Sequence, residues 1–400
     1  MQKNILTKAV LVALATLGAT TAMAESGVTF YGTLDASLTN IKTENSPRST
    51  AAVPNFAAGS SSSVSGVSNG IMTQSYIGFR GVEDIGGGME VSFKLESYLD
   101  VDTGATSSTD LLNSPLSVTS LGAPTTYNAR DKGGFWARNA YVGLKTNFGL
   151  FRLGQMDSLG YLSAERFSPF GASKLAPSRI FYSTDYYTQG WSNAVAYFAK
   201  VGNFGGAAMY SAKETTNATN PGLGAKWAAT VGYFDDKFSA SLGYENNKSS
   251  VGPVLPATNE SLFLNSFYDF GVVKLFGQYG YGKLDRAAVG ATTPDVKSSG
   301  YQLGVSVPVG NQFKFLASYA NGILKLDSVV PSVDGLKTRD VKIFTVGGTY
   351  DLSKRTNVYA VYSSDKNDYK APIPAGPLVG QIALFDTKAN TVALGVRHSF

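Results

Sequence analysis

The chain has 400 residues, with 44 glycines, 15 prolines and 12 % aromatics, but only 16 % charged residues. It lacks cysteine and has one histidine, His398, which excludes disulfide scaffolds, thiolate metal sites, cysteine nucleophiles and multi-histidine metal centres. The net charge of +5 is scattered and forms no long Lys/Arg run, which argues against nucleic-acid binding.

Residues 1–24 read as a secretory signal. Lys3 and Lys8 give a positive start, Ala9 to Ala19 is apolar, and Ala22-Met23-Ala24 is a small-x-small cleavage site. The mature chain is expected to start at Glu25. No later apolar run approaches the roughly 18 residues of a membrane helix. Export without a stop-transfer helix leaves the periplasm, secretion or an outer-membrane barrel.

From Val28 onward the period is two. Val28, Phe30, Leu34, Ala36 and Leu38 share one face, opposite Thr29, Tyr31, Thr33, Asp35, Ser37 and Thr39. Met89, Val91, Phe93 and Leu95 oppose Glu90, Ser92, Lys94 and Glu96. At the end of the chain Val392, Leu394, Val396, His398 and Phe400 oppose Thr391, Ala393, Gly395, Arg397 and Ser399. Each such strand has one apolar and one wet face.

A soluble sandwich also alternates, so the connections must decide. Short ones fall at 83–87, 146–149, 201–204, 234–237, 268–271, 308–311 and 351–354. Long ones, rich in Ser, Thr, Pro, Asn and Gly, cover about 42–71, 101–133, 156–190, 214–224, 248–259, 284–296, 327–337 and 368–386; residues 57–70 are low-complexity. Short and long alternate strictly, and together they join sixteen strands with both chain ends at the short-turn rim. The predicted fold is all-β: a 16-stranded antiparallel transmembrane barrel over residues 25–400. Phe30, Phe79, Tyr141, Tyr233, Phe234, Tyr268, Phe270, Tyr350 and Phe400 lie near strand ends and are expected to form an interfacial girdle. A Lys or Arg facing lipid at mid-membrane costs about 2–4 kcal/mol, so the face carrying Lys94, Arg138 and Arg152 should be the inside. Sixteen strands leave an aqueous lumen.

Several segments, in order along the chain, resemble the general porins of proteobacterial outer membranes, in the branch typified by neisserial and betaproteobacterial porins. They are VTFYG with Asp35 (28–35), GFRGVEDIGGGMEVSFKLES (78–97), ARNAYVGLKTNFG (137–149), NAVAYFAKVGNFGG (193–206), YDFGVVKLFGQY (268–279), YQLGVSVPVG (301–310), YDLSKRTNVYAVY (350–362) and VALGVRHSF (392–400). The resemblance implies an outer-membrane homotrimer, a third long loop folded into each pore, no enzymatic activity and no cofactor. It also implies contact with lipid and lipopolysaccharide, and a terminal Phe400 read by the barrel-assembly machinery.

The third long loop, about 156–190, is charge-balanced: Asp157, Glu165 and Asp185 against Arg166, Lys174 and Arg179. It is also rich in rings, Phe170 among them. The facing wall should carry Asp35, Tyr76, Arg80, Lys94, Glu96, Arg138 and Arg152. With Glu90, the later wall strands set four cations against two anions, and rings of Arg or Lys favour anions; a mild anion preference is expected. Porins of the resembled branch commonly have Arg where this chain has Tyr76, Gln155 and Ala196. That departure opens an alternative: a substrate-selective channel for uncharged or aromatic small molecules, with rings as stacking surfaces.

Other readings are weaker. Ser363-Ser364-Asp365-Lys366 matches Ser-x-x-Lys but ends a strand beside a loop rather than opening a buried helix. Gly280-Tyr281-Gly282-Lys283 lacks the spacing of a phosphate loop. Asp102, Asp110 and Asp131 do not have calcium-loop spacing, so no metal is expected. A plugged surface adhesin, suggested by the Ser/Thr-rich loops, would not conduct. The leading expectation is a passive diffusion channel for small hydrophilic solutes.

Overall fold

Strand alternation organises the computed structural model, which describes residues 27–47, 59–106, 134–183, 190–212, 224–251, 255–286, 295–327, 338–369 and 385–400. The segment read as a signal lies outside these residues. The strands, named here in chain order, are β1 (Gly27–Pro47), β2 (Ser60–Asn69), β3 (Tyr76–Gly86), β4 (Met89–Tyr98), β5 (Asn139–Thr146), β6 (Gly149–Asp157), β7 (Gly190–Val201), β8 (Phe204–Ser211) and β9 (Lys226–Phe234). They continue with β10 (Phe238–Val251), β11 (Leu255–Asp269), β12 (Lys274–Arg286), β13 (Asp295–Val309), β14 (Phe313–Asp327), β15 (Thr338–Asp351), β16 (Thr356–Tyr369) and β17 (Phe385–Ser399).

Each strand pairs antiparallel with its neighbours, and β17 returns to β1 from Thr33↔Ser399 to Pro47↔Phe385. Gly32 and Phe400 exchange backbone hydrogen bonds of 3.2 and 3.1 Å and lock the seam. The barrel has sixteen staves because β2 and β3 are two halves of one: β2 pairs with residues 36–45 of β1, and β3 with residues 27–33. Closure lets every stave satisfy its backbone against two neighbours, the condition for crossing lipid with strands. No helix among the described residues is long and apolar enough to cross.

Outward positions are apolar and exposed, as at Val28, Phe30, Leu38, Leu242, Leu264, Leu303 and Leu394. Inward positions are polar and buried, as at Thr33, Ser37, Thr39, Ser241, Asn265 and Gln302. Neighbouring outer rings touch along the short-turn side: Phe204 to Tyr233 (5.3 Å), Tyr233 to Phe238 (6.1 Å), and Tyr268 to Phe270 (4.5 Å). Phe400 meets Phe30 at 5.5 Å, and His398, beside it, accepts or donates at Thr356 (2.9 Å).

Two sequence expectations need correction. Tyr141 and Phe234 are not girdle residues: both turn inward, beneath the guanidinium groups of Arg152 (4.7 Å) and Arg166 (4.8 Å). Parity along the strand, not closeness to its end, decides the face. Within the long connections at 42–71 and 248–259, residues 42–47, 60–69, 248–251 and 255–259 are strand. The serine-rich Ser60–Asn69 pairs with β1, and β10 and β11 stay paired out to Val251↔Leu255. A backbone ladder above the membrane needs no apolar side chains, so the loss of alternation there marked the end of the lipid, not the end of the strand.

The stave formed by β2 and β3 is broken at residues 70–75. Gly70 sits at φ +66°, a conformation glycine adopts without steric cost. The wholly buried Asp35 accepts hydrogen bonds from the Met72 (2.8 Å) and Thr73 (2.7 Å) amides and from the Tyr359 hydroxyl (2.5 Å). The Ser75 hydroxyl accepts from the Asp35 amide at 2.9 Å. The polar groups freed by the break are thus satisfied from the opposite strand, as burial requires.

Candidate pore constriction

The connection after β6 runs inside the barrel. Ser158 caps helix α1 (Leu159–Arg166) by accepting from the Tyr161 amide at 3.1 Å. The Glu245 carboxylate of β10 accepts from the Gly160 amide at 2.6 Å, and the Gln278 amide of β12 donates to the Ala164 carbonyl at 3.2 Å. Further on, Pro169 lies against Gly304 of β13, where a Cβ would come within 2.7 Å of it. A 3₁₀ turn (Pro177–Arg179) leads into α2 (Ile180–Ser183). Ile180 fills the space over Gly322 of β14, where a Cβ would approach it to 2.6 Å. Only glycine leaves room for this approach.

The loop is pinned at its far side by polar contacts. The Thr345 hydroxyl donates to the Leu175 carbonyl at 2.6 Å. Arg179 forms a buried ion pair with Asp365 of β16 and donates to the Lys174 carbonyl at 2.7 Å. Ser173 and the Lys174 amide donate to the Ile71 carbonyl (2.7 and 2.9 Å), and the Lys174 ammonium to the Asn69 carbonyl (2.7 Å). The tip therefore docks on the break in the second stave, which exposes carbonyls that an unbroken strand would have used in its ladder.

Apolar packing completes the seat. Ala164, Ile180 and Phe181 of the loop join Phe263, Ala320, Val341 and Ile343 of the wall. Phe170, Leu175 and Ala176 join Ile71, Met72, Leu316, Tyr359, Val361 and Ala393. These wall residues occupy inward positions, so the loop supplies the apolar surface that water would not.

The wall left facing water is built differently. Glu96 of β4 is buried and accepts from Tyr31 (2.5 Å), Lys94 (2.9 Å), Asn139 (2.7 Å) and Arg138. The Arg138 guanidinium lies 4.1 Å over the Tyr76 ring, and that of Arg80 lies 4.6 Å over Tyr31. Two cations share one carboxylate, and Arg80 stacks on a ring instead of an acid. The wall therefore carries an excess of positive charge, held in fixed geometry by packing rather than by long flexible side chains.

Across from it stands Glu165 on α1. Protein crowding, and then the neighbouring charge of Asp157, push its carboxyl up to about 7, opposed by Arg138 and Lys94. Asp157, at the end of β6, is reached by the Asn139 amide at 3.3 Å. Asp157 thus stands on the same wall as Lys94, Glu96 and Arg138, with Glu165 of α1 near them.

The candidate residues divide into groups. Tyr76, Arg80, Lys94, Glu96 and Arg138 come together on one wall, with Asp157 beside them and Glu165 of α1 nearby. Arg152 lies apart, buried between the rings of Tyr141 (4.7 Å) and Phe198 (5.0 Å). Asp35, Phe170, Lys174 and Arg179 are taken up in holding the stave break and the loop. Arg166 points away from the opening, into rings. Glu90 pairs with Lys145 at 2.5 Å. Sequence reasoning missed Tyr31, Asn139 and Asp365; the first two lie on the wet faces of their strands, but nothing local marks them as partners of Glu96.

A closed barrel with a wet lumen, narrowed by an infolded loop and lined by cations, defines a class: the outer-membrane diffusion channels. The Gram-negative porin family matches residues 9–370, and the chain belongs to it. It is 28 % identical to outer membrane porin protein 32 of Delftia acidovorans over 98 % of this chain and 99 % of that one. It is 27 % identical to an outer membrane porin protein of Bordetella pertussis over the full length of both. Among solved structures, the fold is that of an anion-selective porin from Comamonas acidovorans, at TM-score 0.68 and 24 % identity, over 94 % of this chain and all of that one. This chain is an outer-membrane porin of a Gram-negative bacterium, a water-filled channel for passive diffusion; family and fold are those of a channel rather than an enzyme.

Proposed function

We propose that solutes are sorted at the opening between the β3–β5 wall and α1, with a mild preference for anions. The observation that carries this is the sharing of Glu96 by Lys94 and Arg138, which leaves unbalanced positive charge on a wall that a low-dielectric barrel focuses into the lumen. Glu165 and Asp157 reduce the excess, which keeps the preference mild. The anion-selective Comamonas porin of the same fold supports the sign. The test is the reversal potential of the purified protein in a planar bilayer under a potassium chloride gradient. A chloride-favouring value is expected; a potassium-favouring one overturns the assignment.

The working form is a homotrimer, which the trimer form of a Vibrio cholerae outer-membrane protein with this fold supports; its outer rim contacts lipid and lipopolysaccharide. Export uses residues 1–24, and Phe400, locked at the seam, serves the assembly machinery. A second reading, selectivity for aromatic solutes, is favoured by the rings facing the lumen: Tyr31, Tyr76, Phe198 and Phe234.

A further inference from the structure

The outer surface of the barrel carries a pattern that the pore does not use. Lys283 of β12, Lys297 of β13 and Lys325 of β14 are direct cross-strand partners, and so are Lys342 of β15, Lys366 of β16 and Lys388 of β17. All six are on the outer face. Their strand neighbours Leu284, Val296, Val341, Ile343, Asp365 and Ala389 are buried inside the barrel, and Leu324 packs against Leu284 and Val296; side chains alternate along a strand.

On each of these strands an aspartate stands two residues nearer the long-loop rim: Asp285, Asp295, Asp327, Asp340, Asp368 and Asp386. Lys283 pairs with Asp285 at 2.7 Å, and Lys366 with Asp368 at 2.9 Å. Toward the short-turn rim the same outer faces give way to exposed rings, Tyr281, Tyr301, Phe344 and Tyr362, of the kind that marks a membrane boundary. The lysines thus form a collar at headgroup depth on the long-loop side, which is the outer leaflet. Not every strand end here is built so: β8 has no charged residue, and the lysine of β9, Lys226, is buried.

Like charges directly opposite each other on a sheet repel. The aspartates ease this, but exposed ion pairs are weakly held. A phosphate at the level of the lysines relieves it better, because it brings a full negative charge and several acceptor oxygens to donors that are themselves charged. Neighbouring strands lie about 4.8 Å apart, so a row of three lysines spans about 10 Å, a width comparable to a disaccharide with a phosphate at each end. Lysine suits the place, since its stem lies along apolar surface while its ammonium stays among headgroups.

We infer that the row of Lys283, Lys297 and Lys325 is a docking site for the phosphorylated disaccharide headgroup of the outer-leaflet glycolipid, and that Lys342, Lys366 and Lys388 repeat it on the next three strands. The inference rests on the reading that the outer rim contacts lipopolysaccharide. It adds where that contact lies, on β12 to β17, and which group it takes, the phosphates.

The test is binding of fluorescent bisphosphorylated lipid A to the purified barrel in detergent micelles. Lipid A with the same acyl chains but no phosphate, phosphatidylglycerol, and inorganic phosphate as competitor are the matched probes. The wild type is expected to prefer bisphosphorylated lipid A over both other lipids, with no displacement by inorganic phosphate at equal concentration. Replacing all six lysines by Gln should weaken binding at least about tenfold, and replacing all six by Arg should leave it within about twofold. Lys283→Gln, Lys297→Gln and Lys325→Gln together should halve the number of lipid A molecules bound. Potassium chloride conductance checks the fold of each variant, because the six side chains lie outside the lumen. Undiminished binding in a conducting Gln variant overturns the site and leaves the lipopolysaccharide contact intact, as does equal weakening by Arg. Equal binding of dephosphorylated lipid A or of phosphatidylglycerol, or displacement by inorganic phosphate, overturns the assignment of the headgroup. Absence of lipid A binding by the wild type overturns the lipopolysaccharide reading itself.

Discussion

The two halves of the inner wall obey opposite rules. From β3 to the start of β5 the inward side chains are charged or polar: Arg80, Lys94, Glu96 and Asn139. From β11 to β16 many are apolar: Phe263, Phe267, Leu316, Ala320, Val341, Ile343 and Val361. Both halves alternate in the same way along their strands, and both have a greasy outer face. The difference is that the second half is covered by the infolded loop. Apolar inward residues therefore gather where the loop covers the wall, among buried polar neighbours such as Gln302 and Thr345.

Breaking the seat should have the largest effect. Arg179→Ala leaves Asp365 buried without its cation, and breaking such a pair costs about 3–5 kcal/mol. The loop tip should detach, single-channel conductance should rise, and liposomes should admit larger sugars. Unchanged conductance and unchanged sugar cut-off would show that apolar packing alone holds the tip.

Next in size is the port on which the tip docks. Asp35→Asn replaces a carboxylate acceptor by an amide and weakens its bonds to Met72, Thr73 and Tyr359; the loss should be about 1–3 kcal/mol. The temperature at which the folded barrel converts to its slower-migrating form on a gel should fall, with the ion preference untouched.

The water-facing half responds through charge rather than stability. Glu96→Gln removes the carboxylate that Lys94 and Arg138 share, so the anion-to-cation permeability ratio should rise several-fold. A ratio that falls would mean that Glu96 chiefly positions its cations and that they scatter without it.

The smallest effect separates the halves by pH. With its carboxyl pushed up to about 7, Glu165 is mostly neutral below that pH and mostly charged above it. Anion preference should therefore be higher at pH 6 than at pH 8, by less than about twofold, and Glu165→Gln should hold it at the acidic value. The sign follows from the charge gained: deprotonation adds a negative group opposite the cationic wall.

Period-two alternation at Val28–Thr39 and Val392–Phe400, and the regular exchange of short and long connections, determined the barrel, its stave number and its wet interior, because lipid on one side and water on the other sort side chains one residue at a time. The positions of Lys94, Glu96 and Arg138 on the inner face followed from the same local rule. Tertiary structure alone decided that Glu96 takes both cations, that Arg179 meets Asp365, and that the strand break at 70–75 receives the loop tip. Those contacts join residues far apart in the chain, and whether an inward side chain meets water or protein depends on the path of a loop that no periodicity encodes.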